Sequence, residues 1–230
     1  MSPNGPTLDG VSGPHAGRPL VTAGAPAGAA EVGLVVLHGR GATAQGVVNL
    51  FDPAVGHGVA VFAPDAARSR WFPRSFDAPL EANEPHLTSA VECVAATLTR
   101  AAAIGLLPEN VVVAGFSQGA CVAAEFVRRT PARYGGVAVL SGALPGDAIE
   151  TEASTEDEGS LDGTPVFLGC GTDDPHVPED RLDATATAFE RLGGCVTTRR
   201  YTDIGHAVTD DEFDVLRAML DDARAGTGTD

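Results

Sequence analysis

The chain has 230 residues, enough for one α/β domain with a substantial core and too few for a large separate lid domain. Its formal net charge is −16, from 31 acidic residues against 15 basic ones, and every basic residue is arginine. That balance argues against nucleic-acid and anionic-membrane partners, both of which need a positive face. In chain order, residues 1–14 are rich in Gly and Pro and are expected to be a poorly ordered lead-in to a domain over 15–224, with a flexible tail at 225–230. Residues 18–23 suit an edge strand. Apolar runs then predict strands near 32–37, 59–63, 111–115, 135–140, 165–169 and 196–201, with helical segments between them. That alternation predicts a parallel sheet covered by helices on both faces. In the helix expected over 85–104, Leu87, Val91, Val94 and Leu98 recur at helical spacing, Asn83 or Glu84 caps it, and Pro85 suits its first turn. A last helix near 209–223 buries Phe213, Leu216 and Leu220 in the same way.

The stretch Gly115-Phe116-Ser117-Gln118-Gly119 follows the apolar run 111–114 and precedes the small, helix-competent residues 120–125. G-x-S-x-G between a strand and a helix is the setting of a nucleophile elbow, although a glycine-rich turn can carry the same letters. Such an elbow lifts a serine hydroxyl above the sheet edge and aims helix-start amides at a developing oxyanion. A base and an orienting acid are expected later in the chain, at the C-terminal ends of strands. Asp173 and Asp174 follow the run 165–171 and compete for the acid role. Asp174 is preferred because Pro175 fixes the backbone just after it, and an Asx-type turn is the plainer alternative. His206, after the strand at 196–201 and beside Gly205, occupies the slot for the base. The apolar run 34–37 leads into His38-Gly39-Arg40-Gly41, where the Arg40 amide suits a second oxyanion donor and His38 a supporting role. A phosphate-binding loop is the alternative there, but the Walker lysine is missing.

Taken together, L-H-G-R-G-A-T at 37–43, W-F-P at 71–73, N-E-P at 83–85, G-F-S-Q-G at 115–119, D-P-H-V-P at 174–178 and G-H at 205–206 resemble the α/β-hydrolase superfamily. More narrowly they resemble its phospholipase/carboxylesterase group, which includes the acyl-protein thioesterases. A prokaryotic esterase branch of that group is the more similar over 64–86. The resemblance implies an α/β-hydrolase fold, a Ser117–Asp174–His206 triad, and an oxyanion hole from the Arg40 and Gln118 amides. It also suggests that Trp71 and Phe72 lie near the substrate pocket, to which His176 and Leu144 are added as candidates. The implied substrate is a small-molecule ester, with no cofactor. A thioester, a lysophospholipid, or a silent binding module are the rivals.

The loop 64–82 gathers Arg68, Arg70, Trp71, Phe72, Arg74 and Phe76 on the active-site side of the sheet. It is expected to form a pocket wall, or else a satellite hydrophobic cluster. The acidic loop 150–163 suits solvated disorder better than a flap. Cys93, Cys121, Cys170 and Cys195 form no C-x-x-C pair; three fall in predicted buried elements as small core residues. His38, His176 and His206 lack the paired spacing of a zinc site, so no metal is expected. No basic segment followed by an apolar run opens the chain, and no stretch has the roughly 18 apolar residues of a span, so a cytoplasmic protein is expected. Abundant acid without lysine resembles proteins of high-salt cytoplasms, where salt screens self-repulsion. Oligomeric state is left open, a homo-oligomer included.

Overall fold

The computed structural model describes residues 6–149 and 159–226. Seven strands form one sheet: β1 (Leu20–Gly24), β2 (Val32–Leu37), β3 (Val59–Pro64), β4 (Val111–Phe116), β5 (Gly136–Leu140), β6 (Pro165–Gly171) and β7 (Cys195–Tyr201). The spatial order is β1-β3-β2-β4-β5-β6-β7. Only β1 runs antiparallel, pairing with β3; the other neighbours are parallel. The central strands β2 to β5 are buried almost throughout, as a sheet covered on both faces requires. Helices α2 (His86–Ala102), α3 (Gln118–Arg129) and α4 (Glu179–Arg191) cover one face, while α1 (Ala44–Phe51) and α5 (Asp210–Ala225) cover the other. Trp71 and Phe72 lie in the first core, and Phe51, Phe213 and Leu216 in the second.

Local chemistry explains the helix starts. Thr209 accepts from the Glu212 amide and the Glu212 carboxylate accepts from the Thr209 amide, a capping box that begins α5. At α2 the outcome differs from the expected cap. The helix starts at His86, and the Glu84 carboxylate accepts from the Thr88 amide and hydroxyl at 3.0 and 2.9 Å. Asn83 is instead buried and braces the preceding loop, accepting from the Arg74 amide and donating to the Ser75 carbonyl, both at 2.9 Å. Inside α3, Glu125 is buried and held by Arg128 and Arg129, and Arg129 also reaches Glu84 and Thr88. That network ties α3, and hence the residue before it, to α2.

The described part of the lead-in does not hang free. Thr7 bridges to Pro19, Leu8 is buried, and the residues around Ser12 meet Ser89 and Glu92 on α2. Composition weighted Gly and Pro toward disorder, and the long-range contacts of Leu8 and His15 outweigh it. Residues 150–158 of the acidic loop lie outside the described residues. Cys93, Cys121 and Cys170 are buried and Cys195 is exposed. Among the described residues, no helix is long and apolar enough to cross a membrane.

Candidate active site

The turn between β4 and α3 sets the site. Ser117 has φ 56° and ψ −123°, a region that L residues rarely adopt. The tightness of the turn explains its glycines. A Cβ on Gly115 would sit 2.4 Å from the Gly119 carbonyl, and one on Gly119 would sit 2.1 Å from the Leu37 oxygen. Both obstacles are backbone and cannot move aside. The Ser117 amide donates to the Leu140 carbonyl at 2.9 Å, anchoring the elbow to the end of β5.

Two loops at the C-terminal ends of β6 and β7 meet it. Gly171 lets them approach: a Cβ there would lie 2.0 Å from the Ile204 oxygen. The Asp173 amide donates to that oxygen at 3.0 Å. His206 Nε2 lies 2.8 Å from Ser117 Oγ, and its Nδ1 lies 2.8 Å from Asp174 Oδ2. Asp174 Oδ1 accepts from the His176 amide at 2.8 Å, and the Cys170 thiol points at Oδ2 from 3.7 Å. Asp173 is exposed and its side chain takes no part. Burial, the largest single influence, pushes the Asp174 carboxyl up. The hydrogen bonds from His206 and the His176 amide, with the charge of His206, outweigh it and hold the group below the usual carboxylate range. Ser141, left-handed at φ 48°, buries its hydroxyl beside this carboxylate without a hydrogen bond of good geometry. Phe116 packs on the His206 ring with centroids 4.9 Å apart, and His176 meets its edge at 4.8 Å.

The loop after β2 is built around His38. Its Nδ1 donates to the Gly39 carbonyl at 2.8 Å and its Nε2 accepts from the Ala66 amide at 3.1 Å. Trp71 Nε1 donates to the His38 carbonyl at 2.8 Å, and the two rings pack at 5.0 Å. His15 does the same from the other side, with Nε2 donating to the Trp71 carbonyl at 2.8 Å and Nδ1 accepting from the Ala67 amide at 3.0 Å. Gln118 completes the frame: its side chain accepts from the Trp71 amide at 2.8 Å and donates to the Phe72 carbonyl at 2.9 Å. Its own amide stands in the first turn of α3, where no intrahelical acceptor exists. The Arg40 guanidinium reaches the Pro73 and Arg74 carbonyls at 3.3 and 2.6 Å.

Both histidines are buried, and burial lowers their pKa below the ordinary 6.5 despite backbone hydrogen bonds that raise it. Each also has one ring nitrogen receiving a backbone N–H, so a second ring proton would face a donor. Between the lowered folded value and 6.5 the unfolded chain binds protons that the native one refuses. The stability they confer is therefore complete above about pH 6.5 and is lost as pH falls below it. NMR of protein carrying ¹⁵N-histidine is expected to find His15 and His38 titrating below the ordinary 6.5. Titration of either ring at 6.5 would contradict the buried, neutral assignment.

Ser117 and His206 stand between two lobes of the cleft. One lobe, about 360 Å³, is lined by Arg40, Phe72, Ser75, Phe76, Gln118, Cys121, Ser141, His176 and Val177. The other, about 370 Å³, lies over α1 and is lined by His38, Gly39, Arg40, Ala42, Gly46, Val47, Leu50 and Phe116. Of the four expected pocket residues, Phe72 and His176 line the first lobe. Trp71 and Leu144 do not. Trp71 is fully buried behind the loop, where its indole N–H holds His38, and Leu144 is buried with its amide on Thr185 Oγ1. An aromatic next to a glycine loop suggests a pocket wall, but the partner of the indole N–H decides which way it turns. Ser75 and Phe76, from the 64–82 loop expected to form a pocket wall, line the first lobe as well, and Cys121, Ser141 and Val177 complete it. Among the described residues no group of three or more His, Cys, Asp or Glu side chains is arranged to hold a metal ion.

A mostly parallel seven-stranded sheet with a serine elbow after β4, and acid and histidine loops after β6 and β7, defines an α/β hydrolase without a large lid. A family model described as phospholipase/carboxylesterase matches residues 22–223, and the chain belongs to that family. The crystal structure of a phospholipase/carboxylesterase from Dyadobacter fermentans is 32% identical, with a TM-score of 0.81, covering 91% of this chain and 99% of that one. A probable carboxylesterase, SOBER1-like, from Arabidopsis thaliana is 32% identical over 146 residues, 62% of this chain and 55% of that protein. Acyl-protein thioesterase 1 from Gibberella zeae is 30% identical over 122 residues, 50% of this chain and 49% of that protein. The chain thus spans about half the length of these curated relatives.

Proposed function

We propose that the chain is a carboxylic ester hydrolase working through an acyl-enzyme on Ser117. The observation that carries this reading is the unbroken chain of contacts Ser117 Oγ, His206, Asp174 at a strained elbow between two open lobes. Membership of the phospholipase/carboxylesterase family supports it. His206 Nε2 takes the hydroxyl proton as Ser117 Oγ attacks the ester carbonyl. The Arg40 and Gln118 amides hold the oxyanion, a role in which one donor is typically worth about 10²–10³ in rate. Asp174 keeps Nδ1 protonated and steadies the imidazolium. His206 then protonates the departing alcohol, water attacks the acyl-enzyme by the same route, and the acid leaves.

The two lobes give acyl and alcohol parts separate places. The lobe over α1 is walled largely by Ala42, Val47, Leu50 and Phe116, which suits an apolar group. That wall, with the acyl-protein thioesterase relatives, favours acyl thioesters as a second substrate class for the same machinery. The absence of lysine and the excess of 31 acids over 15 arginines suit work in a high-salt cytoplasm. A fluorophosphonate probe tests the reading. It is expected to label the folded protein once, at Ser117 by peptide mass, and to stop hydrolysis of short p-nitrophenyl esters in molar KCl. Folded protein that resists the probe and cleaves no ester would favour a silent binding module.

A further inference from the structure

Acids outnumber arginines in this chain by 31 to 15, and arginines elsewhere commonly sit against carboxylates. Arg129 meets Glu84 and Glu125, Arg199 meets Asp211, and Arg200 meets Asp183. Arg40, Arg68, Arg70 and Arg74 do not. Among the described residues, none of these four has a carboxylate within 4.0 Å. Asp65, the acid next to them in sequence, is spent on Arg18 and on the Ala44 amide. Asp77, on the same loop, is exposed and makes no ion pair among the described residues.

The four belong to two loops that are fastened together at the rim of the cleft. The Gly41 amide donates to the Ser69 carbonyl at 2.7 Å, and the Arg40 guanidinium holds the Arg74 carbonyl at 2.6 Å. Arg68 and Ser69 are both left-handed, with φ of 55° and 53°, a strained pair kept by its surroundings. Burial, and then the charge of Arg70, lower the pKa of Arg40, so the two cations stand close enough to repel. Arg40 lines both lobes beside Ser117. Behind the first lobe Arg181 stands over the Phe76 ring at 5.6 Å, its donors on the Leu144 and Gly146 carbonyls. Like charges gathered at a cleft mouth cost self-repulsion, and in an acid-rich chain a pairing carboxylate is the ordinary remedy. A positive mouth on a negative body instead focuses anions toward the cleft.

We propose that this rim selects esters whose acyl group ends in a carboxylate, with Arg40 and Arg70 holding the anion while the ester carbonyl reaches Ser117. The inference rests on the esterase reading and narrows its substrate class to half-esters of dicarboxylic acids. Water is consumed, the acyl–oxygen bond breaks, and the dicarboxylate and the alcohol leave.

The test compares monoethyl adipate with its neutral isostere ethyl adipamate, by kcat/KM at one salt concentration at which the protein is folded. The anionic ester is expected to be preferred by about tenfold, the step that one charge-assisted contact supports. The Arg68→Gln, Arg70→Gln double variant, which keeps Arg40 and is checked for folding by circular dichroism, is expected to lower the ratio several-fold, and Arg70→Lys to keep most of it. A ratio of one or less in the native protein overturns the inference and leaves the esterase reading standing, as does a ratio unchanged in the folded double variant. Hydrolysis of neither ester by folded protein overturns both.

Discussion

Alanine at position 117 is expected to cut hydrolysis of p-nitrophenyl esters by about 10⁵–10⁶-fold, the scale on which serine hydrolases lose turnover without their nucleophile. The change removes one atom, Oγ, and with it the contact to His206 Nε2 at 2.8 Å. Little else at the elbow depends on that atom. Ser117 is left-handed in backbone at φ 56°, and alanine meets the same steric cost there as serine. The anchoring bond from the amide of residue 117 to the Leu140 carbonyl is backbone and survives. The melting temperature is therefore expected to stay within about 4 °C of the native value, the shift that roughly 1 kcal/mol produces in a chain of this size. Activity and stability part company under this substitution, which separates loss of chemistry from loss of fold. A folded Ser117→Ala protein within tenfold of native activity would move the nucleophile elsewhere. Cys121 would then be the next residue to remove, because its thiol lines the same lobe. Its burial argues against that role, since it pushes the thiol up to about 11 and leaves it almost wholly protonated at neutral pH.

How much of this was legible in the sequence depends on how local each requirement is. The elbow shows in the letters themselves because its turn and both its glycines fall within five residues, Gly115 answering to the start of α3 and Gly119 to the end of β2 at Leu37. The buried strands show for the same reason, because a sheet covered on both faces needs unbroken apolar runs such as Val32–Leu37. Asp174 and His206 were legible only as places at strand ends, and their meeting depends on the close approach of two loops at Gly171. What stayed hidden is what distant segments decide jointly. Nothing near Gln118 announces that its side chain clamps residues 71 and 72, and nothing near His15 announces that its ring holds both ends of the 67–71 turn. Trp71 illustrates the limit. Its neighbours suggested a pocket wall, whereas the His38 carbonyl, 33 positions away, draws its indole inward. Glycine and proline content suggested a loose start to the chain, and two buried side chains, Leu8 and His15, hold its described part in place.

Asparagine at position 174 is expected to lower kcat by about 10⁴ with KM little changed, the cost of placing the histidine in the wrong tautomer. The carboxylate takes hydrogen bonds on both oxygens: Oδ2 from His206 Nδ1 and Oδ1 from the His176 amide, each at 2.8 Å. An amide has only one acceptor to offer these two donors. If its oxygen faces His206, its NH₂ is driven against the His176 N–H, a backbone donor that has no other tautomer. If its NH₂ faces His206, the ring can respond by moving its proton to Nε2, and every contact is again satisfied. The second arrangement is the stable one, and it leaves Nε2 protonated toward Ser117, unable to accept the hydroxyl proton. The Cys170 thiol, which points at the Oδ2 position, could turn elsewhere at small cost because S–H is a weak donor. The fold should hold, since the substitution keeps shape and removes a buried charge together with the influences that stabilised it. Labelling by a fluorophosphonate should slow in parallel with kcat, because both need Nε2 as a base. Retention of labelling and turnover within tenfold of native would mean that Asp174 does not set the tautomer, and that the geometry around His206 is sufficient without its charge.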